Sequence, residues 1–405
     1  MSRYREIKIL LLYSLCFIIL LFSLNQFFFL NILDEQNFLH WDAAHYDWIR
    51  NFGYKDFRVA FFPLFPMLWK ISSLSVYGVV LLNSFVLLVS FYFLIKTLTV
   101  SPLEIILYLS IPSFCFFLLP YSESVFFASS TILIIGLKSK RIWLILLGLF
   151  LSTLSRPAFT IFVPAIIIAE LLSEEINKKM LFRIMLYLLT VLFGILFVGM
   201  IQHYYTGIWF NFFEVQKGWG NKLQIPNLPL TSWAGGLIVR LDGAAMLLGI
   251  IAGIMISFYA LKVKFMRHLF MPKEVVFSLS YIAGITLSVL LFRGGSLFSL
   301  NRFVFAAPFI IIAGNFYMNQ KIIFNKGQMV IGFVSIFAFW LLFGSYVHIQ
   351  TLLKYLLLSV YLFLLVTVKA NNKIVSKVSI IIFITINIIF QFIFLIRFLR
   401  GEWVG

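Results

Sequence analysis

Charge is what this 405-residue sequence has least of. Only 12% of its residues are Asp, Glu, Lys or Arg, about half the share of a soluble domain, and that excludes an ordinary water-soluble globule. Acidic residues are scarcest, 15 against 32 Lys and Arg, for a net charge of +17. The basic residues lie in short clusters between apolar runs, a pattern that sets membrane topology rather than one that binds nucleic acid. Two cysteines, Cys16 and Cys115, both inside apolar runs, exclude a disulfide framework and a cysteine-based metal site and are expected in core packing. No period of 20 to 50 residues recurs and neither half resembles the other, which disfavours a transporter built from two matched halves.

Apolar residues are abundant instead: 62% of the chain is hydrophobic, with 49 phenylalanines. Runs of about 17 to 25 apolar residues recur, each long enough to cross a bilayer. The predicted fold class is an all-α polytopic membrane protein, a single integral domain over 1–405 with about 11–13 transmembrane helices. Read in order, the runs are 9–30, 78–95, 102–120, 122–137, 141–156, 158–171, 184–202, 241–261, 274–292, 303–319, 328–347, 350–368 and 378–396. MSRYREIK ahead of the first run has the basic head of a signal sequence, but that run is long and lacks a small-residue cleavage site, so it reads as the first span.

With the N-terminus cytoplasmic, alternation puts 19 of the 32 Lys and Arg inside, among them Arg3, Lys96, Lys138, Lys178, Lys264, Arg267, Lys273 and Lys369. The acids divide the other way, six inside and nine outside. This is the orientation that positively charged inner loops favour. Both substantial polar segments, 31–77 and 203–240, then fall outside, and chemistry is expected there.

The first of these holds FLHWDAAHYDWIRNFGY and, just after it, FFPLFP. As a helix, HWDAAHYDWIR gathers Asp42, His45, Tyr46 and Ile49 on one face, with Trp41, Ala44 and Trp48 on its neighbour. That describes either a carboxylate and an imidazole presented to a cavity or an interfacial helix with solvated charges. The two prolines of FFPLFP break helix continuity. Glu123 in PYSESVFF falls between two apolar runs and faces a cavity or water. Arg156 in TLSRPAF stands at a helix break, as a phosphate ligand or a membrane-interface anchor. FNFFEVQKGWG brings Gln216 and Trp219 among aromatics, suited to gripping a sugar or to an aromatic belt. Arg240 and Asp242 open one span, while RGGSLFSLNRF places Arg293 and Arg302 at an outer turn, where cations are disfavoured.

WDAAHYDWIRNFGY followed by AFFPLFP resembles the opening signature of the PIG-V-like mannosyltransferases, which include the second mannosyltransferase of GPI assembly and prokaryotic relatives. PYSESVFF, LSTLSRPAFTIFVPA, FNFFEVQKGWG and SLNRFVFAAPF follow in the family's order, across roughly residues 38 to 309. RPAF departs from the polar residue or glycine that others often carry there. The resemblance implies a GT-C fold with an external first loop carrying interfacial helices and the catalytic acid. It also implies a polyprenyl- or dolichyl-phosphate sugar, mannose foremost, as donor and a lipid or glycan acceptor. The expected reaction is inverting, with Asp42 as general base, Arg156, Arg293 and Arg302 as phosphate ligands and His45 orienting Asp42 or touching phosphate. Trp41, Tyr46, Glu123, Gln216 and Trp219 would bind substrate. A lipid monophosphate donor demands no metal, and the Asp and His residues present no complete ligand set, so no cofactor is required. The expected location is a cell membrane with an extracytoplasmic site, or the endoplasmic reticulum with a lumenal one. The competing reading is a flippase or transporter of a lipid-linked saccharide, which needs polar groups along its helix interiors.

Overall fold

A computed structural model describes residues 4–27, 31–232, 236–265, 271–344 and 348–404. Arg3, Arg267 and the side chains of Arg240 and Lys264 lie outside the described residues. Seventeen α-helices follow one another, with no strand among the described residues. In chain order they are α1 (Arg5–Phe27), α2 (Asp42–Phe52), α3 (Leu64–Ser72), α4 (Val76–Lys96), α5 (Pro102–Leu109), α6 (Glu123–Ser139), α7 (Ile142–Ser155), α8 (Phe159–Ser173) and α9 (Lys178–Thr206). They continue as α10 (Phe212–Gly218), α11 (Gly236–Phe265), α12 (Lys273–Phe292), α13 (Leu300–Phe305), α14 (Pro308–Asn319), α15 (Lys326–Phe339), α16 (Ile349–Thr367) and α17 (Lys373–Leu399). The protein is an all-α polytopic membrane protein.

Among the described residues eight helices are long and apolar enough to span a bilayer, or nine if the bent pair Pro112–Leu118 and Glu123–Ser139 is one span. That is fewer than the thirteen runs, and the difference lies in where helices break. The run 102–120 divides into α5 and a 3-10 turn, Pro112–Leu118, which meets α6 at 110°. The run 303–319 divides into α13 and α14 at Ala306 and Ala307, just before Pro308. Helices α7 and α8 have 14 and 15 residues. At 1.5 Å per residue each is about 21–23 Å long, short of a hydrocarbon core of about 30 Å.

Broken helices expose backbone groups that lipid cannot satisfy, so polar side chains of neighbouring helices must. Asn83 of α4, 1% exposed, donates through Nδ2 to the carbonyls of Leu119 (2.7 Å) and Tyr121 (3.0 Å) just before α6. Gln391 of α17 donates to the carbonyls of Leu109 (2.7 Å) and Ile111 (2.8 Å) where α5 ends, and accepts from the Tyr13 hydroxyl of α1. Asp242 of α11 accepts from the backbone N–H and the side-chain amide of Asn301, both at 2.7 Å, and so holds the first turn of α13. Helices α6 and α7 pack through small residues. A Cβ on Gly148 would lie 2.5 Å from the Leu133 amide nitrogen, and the Ser152 hydroxyl donates to Ser129 at 3.0 Å, the close backbone approach typical of helices in lipid.

One end of the bundle carries 31–75, 207–232, 293–299 and 400–404. The other gathers the basic residues that alternation groups together: Lys96 meets Glu6 at 3.5 Å, Lys138 bonds the Thr97 carbonyl, and Lys369 caps the carbonyls of Met318 and Gln320. At that same end Lys273 bonds Glu170 at 2.7 Å and Glu174 at 2.9 Å, with Arg183 on both carboxylates. Cys115 is buried as packing predicts, but Cys16 sits on the exposed surface of α1, which contributes few residues to the core.

Candidate active site

The first loop accounts for most of its own charge. Asp34 caps the turn Glu35–Phe38 through the Gln36 amide, and Glu35 accepts from the Val76 amide at the start of α4. Asp47 bonds Arg50 one helical turn along at 2.8 Å, while the Arg50 guanidinium stacks on Trp69 of α3 at 4.1 Å. Asp56 is exposed. Asp42 alone among these five acids bonds another helix deep in the bundle.

Asp42 is the first residue of α2, and the backbone delivers it under strain. Trp41, just before it, has φ of 55° and ψ of −125°, a conformation costly for a bulky side chain and one that gathers at functional sites. Trp41 therefore stands off the helix, edge-on to Trp403 at 5.1 Å, and not on the face beside Ala44 and Trp48 that helical spacing suggests. The prolines of FFPLFP start a helix instead of only ending one: Pro63 precedes α3 and Pro66 lies in its first turn, where a missing N–H costs nothing.

From Asp42 a chain of ion pairs runs inward. Its Oδ2 lies 2.6 Å from Arg302 Nη2. Arg302 Nε bonds Glu123 Oε1, and the same oxygen lies 3.1 Å from Arg156 Nη1. Glu123 is fully buried, Arg302 is 4% exposed at its side chain, Arg156 12% and Asp42 17%, so the chain opens toward solvent at its two ends. Helix geometry favours each placement. Asp42 and Glu123 are first residues of α2 and α6, and Arg156 is the residue that ends α7, matching carboxylates to helix N-termini and a cation to a C-terminus. Glu123 Oε2 has no hydrogen-bond partner.

Aromatic rings frame these cations. Arg302 stacks over Tyr121 at 4.7 Å. Phe303 lies between Arg156 (5.0 Å) and Arg293 (5.7 Å). Arg293 bonds the Phe298 carbonyl and has no carboxylate within ion-pair distance among the described residues, which include every Asp and Glu. The polar segment 222–231 straps this turn: the amides of Gln224, Asn227 and Thr231 donate to the carbonyls of Leu291, Gly294 and Gly295. A Cβ on Gly295 would sit 2.6 Å from the Asn227 carbonyl oxygen, at φ of 93°, so only glycine fits beneath the strap.

The other predicted residues divide. Tyr46 is buried and donates to Ser122 Oγ at 2.9 Å, which ties α2 to the start of α6. Burial pushes its hydroxyl well above the usual tyrosine range, so it stays protonated. His45 packs against Phe57 and Phe61, both at 5.1 Å, and makes no hydrogen bond to Asp42. Burial lowers its imidazole below the ordinary value of 6.5, opposed by the Asp42 charge and reinforced by that of Arg58. Trp219 is half exposed and reaches Phe57 at 6.5 Å. Gln216 does not join the site, because its side-chain oxygen and its carbonyl both accept from Asn221. Sequence reasoning passed over Arg58, although an arginine in a polar segment assigned to the outside, beside aromatics, is the same exception that singled out Arg293. Among the described residues no group of three His, Cys, Asp or Glu could hold a metal ion.

Compared with family models, with curated proteins and with solved structures, the chain matches none.

Proposed function

We propose that this chain is a membrane glycosyltransferase of GT-C type that transfers a sugar, mannose foremost, from a polyprenyl- or dolichyl-phosphate donor to a hydroxyl of a lipid-linked or glycan acceptor, with inversion. The observation that carries this reading is the ion-pair chain Asp42–Arg302–Glu123–Arg156 at the first-loop end of the bundle. In it a carboxylate open to solvent is fixed in direction, and further cations lie beyond it. The acceptor hydroxyl gives its proton to Asp42 as its oxygen attacks the anomeric carbon. The bond from that carbon to the phosphate oxygen breaks, and the phosphate leaves with the electron pair.

Inversion sets the base and the leaving phosphate on opposite faces of the sugar. Arg302, in contact with Asp42, is then a positioning residue for the base. The phosphate falls to Arg156 and Arg293, which flank Phe303 and keep donors free; charge-assisted bonds from arginine suit anionic oxygens. Glu123 Oε2, a buried acceptor without a partner, suits a sugar hydroxyl. A flippase is disfavoured by the distribution of charge: among the described residues the buried carboxylates Glu123 and Asp242 lie at one end and Glu170 at the other, with neutral Asn387 and Tyr361 between.

The test is transfer of radiolabelled mannose from polyprenyl-phosphate mannose to extracted lipids and glycans by purified protein. Wild-type transfer that Asp42→Asn abolishes is expected. Full activity of Asp42→Asn would remove the base assignment. Lipid translocation without transfer from any lipid-phosphate sugar would replace the reading with the flippase.

A further inference from the structure

Arg58 lies in the turn Asp56–Ala60 with its guanidinium over the Trp48 ring at 4.4 Å and the Phe57 ring at 5.2 Å. Its Nε is buried without a hydrogen-bond partner, and none of the described carboxylates is within ion-pair distance. An arginine presents five N–H donors in a fixed fork; this one is held in place by rings alone, leaving that fork unspent. Beside it His45, also without a hydrogen bond, meets the edge of Phe57. His45 is three residues after Asp42 on α2, so about one turn separates it from the base. The rings around them remain open: Trp48 is 37% exposed, Phe57 40% and Trp219 50%. The loop that begins α2 with Asp42 thus also carries open stacking faces, an imidazole and an uncommitted cation.

We propose that Arg58 and His45, within the aromatic frame of Trp48, Phe57 and Trp219, form the acceptor subsite, and that the acceptor is an anionic saccharide. A sugar ring stacks on the aromatics while a phosphate or carboxylate substituent takes the Arg58 fork. This rests on the glycosyltransferase reading for the word acceptor and divides the cations by role: Arg156 and Arg293 for the donor phosphate, Arg58 for the acceptor. Rings and an arginine preset by stacking lose little freedom when they bind.

The experiment measures binding without any donor present, so it is independent of transfer. Methyl mannoside, methyl mannoside 6-phosphate and methyl glucuronide are titrated into purified protein in nanodiscs, followed by saturation-transfer NMR and tryptophan fluorescence. Wild type is expected to bind at least one anionic sugar about tenfold or more tightly than methyl mannoside, the size of one charge-assisted hydrogen bond. Arg58→Gln should erase that preference and Arg58→Lys restore part of it. Trp219→Ala should weaken all sugars alike and keep the preference; thermal melting of each variant verifies folding. Preference for the phosphate sugar identifies a phosphorylated acceptor, and preference for the glucuronide a uronic acid. Equal binding of all three sugars by wild type, or an anionic preference unchanged in Arg58→Gln, overturns the subsite. Arg58-dependent binding without any transfer would preserve the subsite and discard the transferase.

Discussion

At the scale of single residues, the proposed function and stability meet in Arg302. Its guanidinium serves two carboxylates inside the bundle, and removing one partner of a buried ion pair leaves the other charged and uncompensated. Arg302→Ala is therefore expected to destabilise the protein by about 3–5 kcal/mol, read as a drop in melting temperature. Arg302→Lys keeps the charge but loses the fork that directs Asp42. It should lower kcat by roughly 10²-fold, the cost of a misplaced catalytic group, with KM little changed; an equal rise in KM would make Arg302 a substrate ligand. His45 gives a pH signature. Its folded-state value lies below its ordinary 6.5, so between the two the unfolded chain binds more protons. Stability is then fully present above about 6.5 and lost as pH falls through that window. His45→Gln should flatten that slope in melting measured from pH 7.5 to 5.

Elements matter here chiefly where they break. Glu123 reaches Arg302 because the chain turns by 110° between Pro112–Leu118 and α6, and Asn83 satisfies the carbonyls that the turn exposes. Asn83→Ala strands two buried acceptors. It should cost about 1–3 kcal/mol and reduce transfer out of proportion to the folded fraction, since the start of α6 loses its fixed direction. Gly148→Ala tests packing alone. A Cβ 2.5 Å from the backbone of Leu133 must push α6 and α7 apart, at about 1–3 kcal/mol, a change visible in melting.

The whole molecule is organised by its two ends. One holds Asp42, Arg302 and the aromatic first loop, the other the network of Glu170, Glu174, Arg183 and Lys273 that ties α8, α9 and α12. Glu170→Ala is expected to destabilise by about 3–5 kcal/mol while transfer per folded molecule is unchanged, separating scaffold from site. From the positive-inside pattern we propose that the first end faces the extracytoplasmic side. In a Cys16→Ser background, Lys55→Cys should label with an impermeant maleimide from outside intact cells and Lys179→Cys only after lysis; the reverse result would invert the topology.

Composition by itself determined that the chain is a helical membrane protein, because a bilayer admits apolar helices and leaves little else to a sequence so poor in charge. Alternation of basic clusters likewise told which polar segments share an end. WDAAHY marked Asp42, yet nothing in spacing separated it from Asp34, Glu35 and Asp47, whose caps and local ion pair are short-range bonds seen only once the loop is folded. Breaks inside apolar runs were equally hidden, since Asn83, Gln391 and Asp242, which satisfy them, come from helices distant in sequence. Only the tertiary structure decided that Glu123, Arg156 and Arg302 form one chain with Asp42, that Gln216 stands apart and that Arg58 is uncommitted. Those are facts about which charges have partners, and partners of a buried charge are chosen by packing in three dimensions, not by order along the chain.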